Sequence, residues 1–346
     1  MPAYRLTEWG EHPRVADATI PRPGPGQLVV RVAANGLCHS DLSMAEMPGS
    51  IGDAMGWQLP FTLGHEIAGW VEMLGEGIDT IAVGAAVALV SPHSCGHCRV
   101  CLAGRDSLCE EGIVGRGYGR DGGLAPYVLV ESTRDVLALG ALDPISSAPL
   151  TDAGATSLHA VRRVLPRIEG DDWVVVIGAG GVGGFAIQFL RALSDARVVA
   201  VDVSSDRLEV ARSLGATETV VGGDGSGGRL RELVGSDGAA AVLDVVGLDD
   251  TIRTGLSLVR PGGAFGLVGA GGGTLRRPWW GTLPRDAEIF TFQGSDIDDG
   301  REAIRLAGEG RVRSEVDVFP FDQIEEAYAA MEAGTLRGRA VVTPPD

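Results

Sequence analysis

Lysine is absent from this chain of 346 residues: its 29 basic residues are all arginine, and against 46 acids they leave a formal charge of −17. A surface that acidic, with no basic stripe, argues against binding to nucleic acid or to an anionic membrane. The N-terminus, Met1-Pro2-Ala3-Tyr4-Arg5, lacks the apolar core of a secretory signal, so a cytoplasmic location is expected. There is no internal repeat, no low-complexity linker and nothing that reads as disordered. Hydrophobic residues make up 45% of the chain, ample for burial, and the length exceeds the usual single core, so two domains are expected.

Cysteine is scarce too, and its five copies are concentrated. Cys95, Cys98, Cys101 and Cys109 form one cluster, Cys-x2-Cys-x2-Cys-x7-Cys, and Cys38 stands alone in Gly36-Leu37-Cys38-His39-Ser40-Asp41. Four thiolates so close in sequence can wrap one tetrahedral Zn²⁺ and close it off from solvent. A ferredoxin-type iron–sulfur run is the nearest competitor, but it has a shorter last gap and usually a proline after the final cysteine, where this chain has Glu110. Disulfides are the other reading, disfavoured without a secretory signal. A catalytic zinc uses three protein ligands and keeps a fourth position open, so Cys38 needs partners from elsewhere. His65, in the glycine-flanked corner Leu63-Gly64-His65-Glu66, is one candidate, although a lone histidine in such a place can be structural.

A β-branched run, Trp173-Val174-Val175-Val176-Ile177, leads straight into Gly178-Ala179-Gly180-Gly181-Val182-Gly183. That pattern predicts a strand, a tight turn and a helix start: Gly178 for the turn, Gly180 for close approach of a pyrophosphate, Gly183 for helix–strand packing, and Gly181 and Val182 opening the helix whose N-terminus receives the phosphates. The next strand ends at Asp202, about 20 residues further on, where an acid binds ribose hydroxyls. Asp202 would repel the 2′-phosphate of NADP, so NAD is the expected cofactor, with Arg207 nearby as a counter-indication. The uncharged stretch 173–190 reaches the minimum length of a membrane span, but its central glycines and strand-then-helix pattern mark a buried nucleotide-binding unit.

Before residue 150, short β runs alternate with Gly/Pro turns, as in a small barrel. After it, strands such as 240–245 and 264–269 are separated by helix-patterned segments, which predicts a doubly wound parallel sheet. Residues 322–333 read as an amphipathic helix and 222–228 as a surface loop.

In their order along the chain, the Cys38 motif, Gly64-His65-Glu66, the four-cysteine lobe, Thr151-Asp152-Ala153-Gly154, the glycine-rich turn and Gly338-Arg339 resemble the zinc-dependent medium-chain alcohol dehydrogenases, specifically the bacterial secondary-alcohol dehydrogenase and carbonyl reductase branch. The resemblance covers essentially the whole chain. It implies an α/β protein with a GroES-like β-barrel catalytic domain over 1–150 and 291–346, carrying a structural-zinc lobe at 91–112, and a Rossmann NAD-binding domain over 151–290. It implies two zinc ions per chain, one held by Cys95, Cys98, Cys101 and Cys109, the other by Cys38, His65 and Asp152. Many relatives carry cysteine at the last position, and a plain helix N-cap is the other reading of Asp152. It further implies Ser40 as the hydroxyl that accepts the substrate proton, Asp41 as the acid orienting His65, Glu66 as an acid able to approach the metal, and His39 and Arg339 as cofactor pyrophosphate contacts. Some relatives hand the proton onward through a histidine at the position of Ser43, which leaves the end of this relay open.

Trp57, the pair Trp279-Trp280, Phe292 and Gln293 fall in segments that line the pocket in similar enzymes, implying an apolar, aryl-accepting site for secondary alcohols, ketones or aldehydes. Asp296, Asp298 and Asp299 read as a solvated face that disfavours anionic substrates. The expected activity is reversible hydride transfer between NAD and an alcohol–carbonyl pair, by a homodimer or homotetramer. A zinc polyol or amino-alcohol dehydrogenase shares every metal and cofactor motif, and a non-enzymatic NAD-binding protein on the same fold is the alternative from another class.

Overall fold

The computed structural model describes residues 1–91 and 93–345. Pro92, within the expected lobe, and Asp346, within the expected 291–346 stretch, lie outside the described residues. The chain divides into two compact units, Met1–Ala155 with the described residues from Gly294 on, and Thr156–Gln293.

The first unit is built on antiparallel pairing. Its central strand, Leu28–Gly36, pairs with Glu66–Leu74, Tyr127–Val130 and Arg339–Thr343. Alternate side chains point to opposite faces of a strand, and here Leu28, Val30 and Val32 turn inward onto Ile67, Val71, Val87, Leu89, Val128 and Val130. Each such side chain contributes about 1.5–3 kcal/mol when fully buried. A three-stranded sheet orders Arg14–Asp17, Pro2–Leu6 and Phe61–Thr62. A second core gathers Tyr4, Leu37, Met44, Trp57, Phe61, Tyr328 and Met331, and so joins the Cys38 segment to the helix Ile324–Glu332. The helix expected over 322–333 thus begins after a short 3-10 turn, Phe321–Gln323.

The second unit is a six-stranded parallel sheet in the order Glu218–Val221, Arg197–Asp202, Trp173–Ile177, Ala239–Asp244, Val259–Leu267, Glu288–Thr291. In sequence terms that is 3-2-1-4-5-6, with the order reversing beside the first strand, the usual place for a dinucleotide. Its inner strands, Arg197–Asp202, Trp173–Ile177 and Ala239–Asp244, are buried on both faces, which is why they read as nearly unbroken Val/Ala/Leu runs rather than alternating ones. Of the expected surface loop 222–228, the last residues belong instead to the helix Ser226–Val234. Buried Leu230 and Val234 anchor that helix, and tertiary packing outweighs the poor propensity of Gly227 and Gly228. Among the described residues, no helix is long and apolar enough to cross a membrane.

Candidate active site

Cys38 caps the helix His39–Ala45, and Asp41, at its third position, reaches back so that Oδ2 accepts a 3.0 Å hydrogen bond from the Cys38 N–H. The same carboxylate faces His65, with Nδ1 3.2 Å from Oδ1 and both side chains sealed from solvent. His65 arrives from the corner at Gly64, whose φ of 92° is left-handed and so suits glycine. Asp152 stands between the 3-10 turn Ala148–Thr151 and the helix Ala153–Val164, with Oδ2 3.5 Å from His65 Nε2. The candidate ligand atoms of Cys38, His65 and Asp152 all lie within 4.8 Å of one another.

Asp41 on Nδ1 selects the imidazole tautomer whose Nε2 carries a lone pair. That lone pair then faces a carboxylate and a thiol, a contact that a proton on Nε2 or a metal ion in its place reconciles, so the donor set fits a metal. The electrostatics agree. Burial pulls His65 down, but Tyr118 first, then Asp41 and Asp152, outweigh it and raise the imidazole well above its ordinary value. Burial opposes ionisation of Asp152, yet the His65 hydrogen bond and charge hold its carboxyl down at about 2. Glu66 is pushed up to about 7, chiefly by burial. It accepts two hydrogen bonds from Arg339, which here lies on a carboxylate inside the first unit.

Around this centre, Ser40 Oγ lies 3.4 Å from His65 Nε2 and 3.3 Å from the Tyr118 hydroxyl. His39 is exposed. Trp57 is buried, donates from its indole N–H to the Ile113 carbonyl at 2.6 Å, and packs on Phe61 and Tyr118. Sequence reasoning missed Tyr118; its only signal is a lone aromatic among the glycines of 115–119. In the second unit, Phe292 is half-buried with its ring 4.6 Å from that of His159, Gln293 is exposed, and Trp280 is 78% exposed, set edge to face on Trp279.

The acidic run is a correction to the expected solvated face. Asp296 and Asp299 form a reciprocal cap on the helix Ile297–Gly308, with the Asp296 N–H donating to Asp299 at 3.0 Å, and only Asp298 is exposed.

In the four-cysteine lobe all thiols are unpaired and their sulfurs lie within 4.8 Å of one another. Backbone N–H groups of Cys95 and Cys98 donate to the sulfurs of Cys109 and Cys95 at 3.3 and 3.4 Å. Cys98 is drawn down to about 7, chiefly by the Cys101 backbone N–H, while burial pushes Cys101 up to about 12. Four converging sulfurs with such unequal acidity suit a dication that deprotonates them together. Buried Asp106 ties the lobe down, bonding Arg134 and accepting from the Ile297 N–H at 3.3 Å.

The glycine turn lies where the parallel sheet reverses. Gly178 has φ 95°, and a Cβ on Gly183 would meet the Gly178 carbonyl oxygen at 1.8 Å, so the helix Gly181–Leu193 can sit this close only with glycine there. Gly180 is open on its free side, with nothing nearer than Arg207 at 4.0 Å. Asp202 ends its strand 7% exposed and accepts from the N–H groups of Ala179 (2.8 Å) and Ser204 (2.9 Å).

Residues 24–140 match the alcohol dehydrogenase GroES-like domain and residues 181–309 the zinc-binding dehydrogenase domain. An NAD-dependent alcohol dehydrogenase of Sulfurisphaera tokodaii is 32% identical over 352 residues, covering 99% of this chain and 100% of the relative. The chain belongs to the zinc-dependent medium-chain alcohol dehydrogenase family. A D-arabinose 1-dehydrogenase (NADP(+)) of Saccharolobus solfataricus is 29% identical over 345 residues, 99% of this chain and 97% of that protein. The crystal structure of the alcohol dehydrogenase from the archaeon Aeropyrum pernix superposes with a TM-score of 0.91 at 32% identity, covering 99% and 100% of the two chains. As a member of this family the protein is a zinc- and NAD-dependent oxidoreductase of alcohol–carbonyl pairs.

Proposed function

We propose that the protein interconverts secondary or aryl alcohols and the matching ketones or aldehydes, with hydride passing between the substrate carbon and NAD. One observation carries the reading: the convergence of Cys38, His65 and Asp152 within 4.8 Å, in a chain whose other unit is a dinucleotide-type sheet. Zinc held by these three supplies a Lewis acid, of the kind that lowers the pKa of bound water from about 15.7 to about 7. Asp41 fixes the His65 ring. Ser40 takes the hydroxyl proton of the alcohol and passes it towards the cofactor ribose. Glu66 and Arg339 set the charge behind the site, and Trp57 gives it an apolar wall, with Trp280, Phe292 and Gln293 as further substrate contacts. Asp202 takes the ribose hydroxyls, and the turn from Gly178 through Gly183 takes the pyrophosphate, helped by His39 and Arg207, while Arg339 stays with Glu66. A second zinc in the Cys95, Cys98, Cys101 and Cys109 lobe is structural. The domain limits are those of the sequence reading, 1–150 with 291–346 and 151–290, and the working form is a cytoplasmic homodimer or homotetramer.

A second reading, a polyol or sugar dehydrogenase, is favoured by the D-arabinose relative. A metal count combined with NADH formation across primary, secondary, aryl and polyol substrates decides between them. Two zinc equivalents with secondary or aryl alcohols preferred supports the first reading, and polyols preferred supports the second. A single equivalent of zinc in active protein overturns the proposed site.

A further inference from the structure

We propose that Tyr118 is a positioning residue for the Ser40 hydroxyl, an inference that rests on Ser40 being the proton acceptor proposed above. The Tyr118 hydroxyl lies 3.3 Å from Ser40 Oγ, and its ring packs at 4.6 Å and 33° on the imidazole of His65. Little freedom is left to that ring. Tyr118 exchanges backbone hydrogen bonds with Gly115 at 2.8 and 2.9 Å, and the neighbouring Arg116 is buried, bonding Glu131, Asp135 and the Val90 carbonyl. Trp57 closes another side, 6.2 Å from ring to ring.

A serine hydroxyl has one proton, two lone pairs and a free rotor. Ser40 has two protein partners for them, Tyr118 and His65 Nε2, the latter at 3.4 Å. A cation on Nε2 occupies that nitrogen's lone pair and leaves it no proton to offer, so Tyr118 becomes the remaining partner. A phenol is the stronger donor of the two hydroxyls, and with an ordinary pKa of about 10 it is protonated at neutral pH. Tyr118 therefore donates, filling one lone pair of Ser40. The other lone pair is left to take the substrate proton and the Ser40 O–H to pass its own proton on. Tyr118 itself neither gains nor loses a proton; it holds the rotor in the one setting that serves transfer.

The test is a double-variant cycle on the zinc-loaded protein with a secondary aryl alcohol. Tyr118→Phe keeps the ring and removes only the hydroxyl. We expect kcat to fall about tenfold, against about a hundredfold for Ser40→Ala, the lower end of general acid–base contributions. The combined variant should be no slower than Ser40→Ala alone, because partners acting as one unit are not additive. Zinc content, Tm, KM and the alcohol Kd read by calorimetry should stay within about twofold of wild type; Tyr118→Leu carries the same kinetic expectation should Tyr118→Phe fold poorly. Additive losses, or a wild-type kcat in Tyr118→Phe, overturn the inference and leave the proposed function standing. A wild-type protein that oxidises no alcohol, or an unimpaired Ser40→Ala, overturns the underlying reading and this inference with it.

Discussion

Arg339 and Glu66 form an enclosed ion pair between the last strand of the chain and the strand that follows His65. The Arg339 Nε donates to Oε2 at 3.2 Å and a terminal nitrogen donates to Oε1, with the carboxylate wholly buried and the arginine side chain 10% exposed. Two charges taken out of water are tolerated only while each compensates the other. Arg339→Ala should therefore cost about 3–5 kcal/mol in urea denaturation, whereas Glu66→Gln combined with Arg339→Met should cost distinctly less. A smaller loss for Arg339→Ala than for the pair would show that the two charges do not depend on each other.

Cofactor choice should follow Asp202. Its carboxylate accepts two backbone N–H bonds, which hold it rigid at the end of its strand beside the glycine turn. Asp202→Ala should lower kcat/KM for NAD about tenfold to hundredfold, the worth of a hydrogen bond to a charged group. It should leave NADP unchanged or improved, since the like charge facing a 2′-phosphate is gone. Steady-state kinetics with both cofactors check this, and an equal loss for both would mean that Asp202 only shapes the turn.

What was legible in the sequence was what local spacing dictates. Cysteines three apart must lie together, and Gly178 through Gly183 after a β-branched run leaves the backbone few choices. Asp152 needed family resemblance, because nothing near it in sequence marks it as a neighbour of Cys38 and His65. The Arg339–Glu66 pair and Tyr118 were illegible for the same reason: each joins segments far apart along the chain. Asp296 and Asp299 are a different failure. An acid followed three residues later by another acid just before an apolar-patterned helix is a capping signature, which a count of surface charge alone does not reveal.

The four-cysteine lobe should carry stability rather than chemistry. It is fastened to the rest of its unit through Asp106 and through the Ser107 N–H, which donates to Asp296 at 2.9 Å. Cys101→Ser should remove one zinc equivalent by elemental analysis, leave the other in place and lower Tm, with each kcal/mol worth about 2–4 °C in a domain this size. The kcat of the surviving folded protein at 25 °C should stay within about threefold of wild type. Loss of both zinc equivalents together would show that the two sites are not independent.

Alkali should reveal how deeply the tyrosines are set. Of the four in the chain, Tyr4, Tyr118 and Tyr328 are all raised above the ordinary phenol value, in each case chiefly by burial, with the Glu325 hydrogen bond adding to it for Tyr4 and the charge of Asp41 for Tyr328. A phenol whose folded pKa exceeds the unfolded value of about 10 contributes stability that is whole below that pH and is lost as pH rises above it, because only the unfolded chain then releases the proton. Absorbance at 295 nm in the folded protein should therefore rise by no more than one tyrosine's worth up to about pH 11, and the remainder should appear together with loss of the far-ultraviolet circular dichroism signal. Tyr4→Phe and Tyr328→Phe should each shift that unfolding to higher pH, since each removes one proton from the difference between the two states. A smooth four-tyrosine titration near pH 10 with the fold intact would show that these rings are open to solvent, and would remove Tyr118 from its place against Ser40.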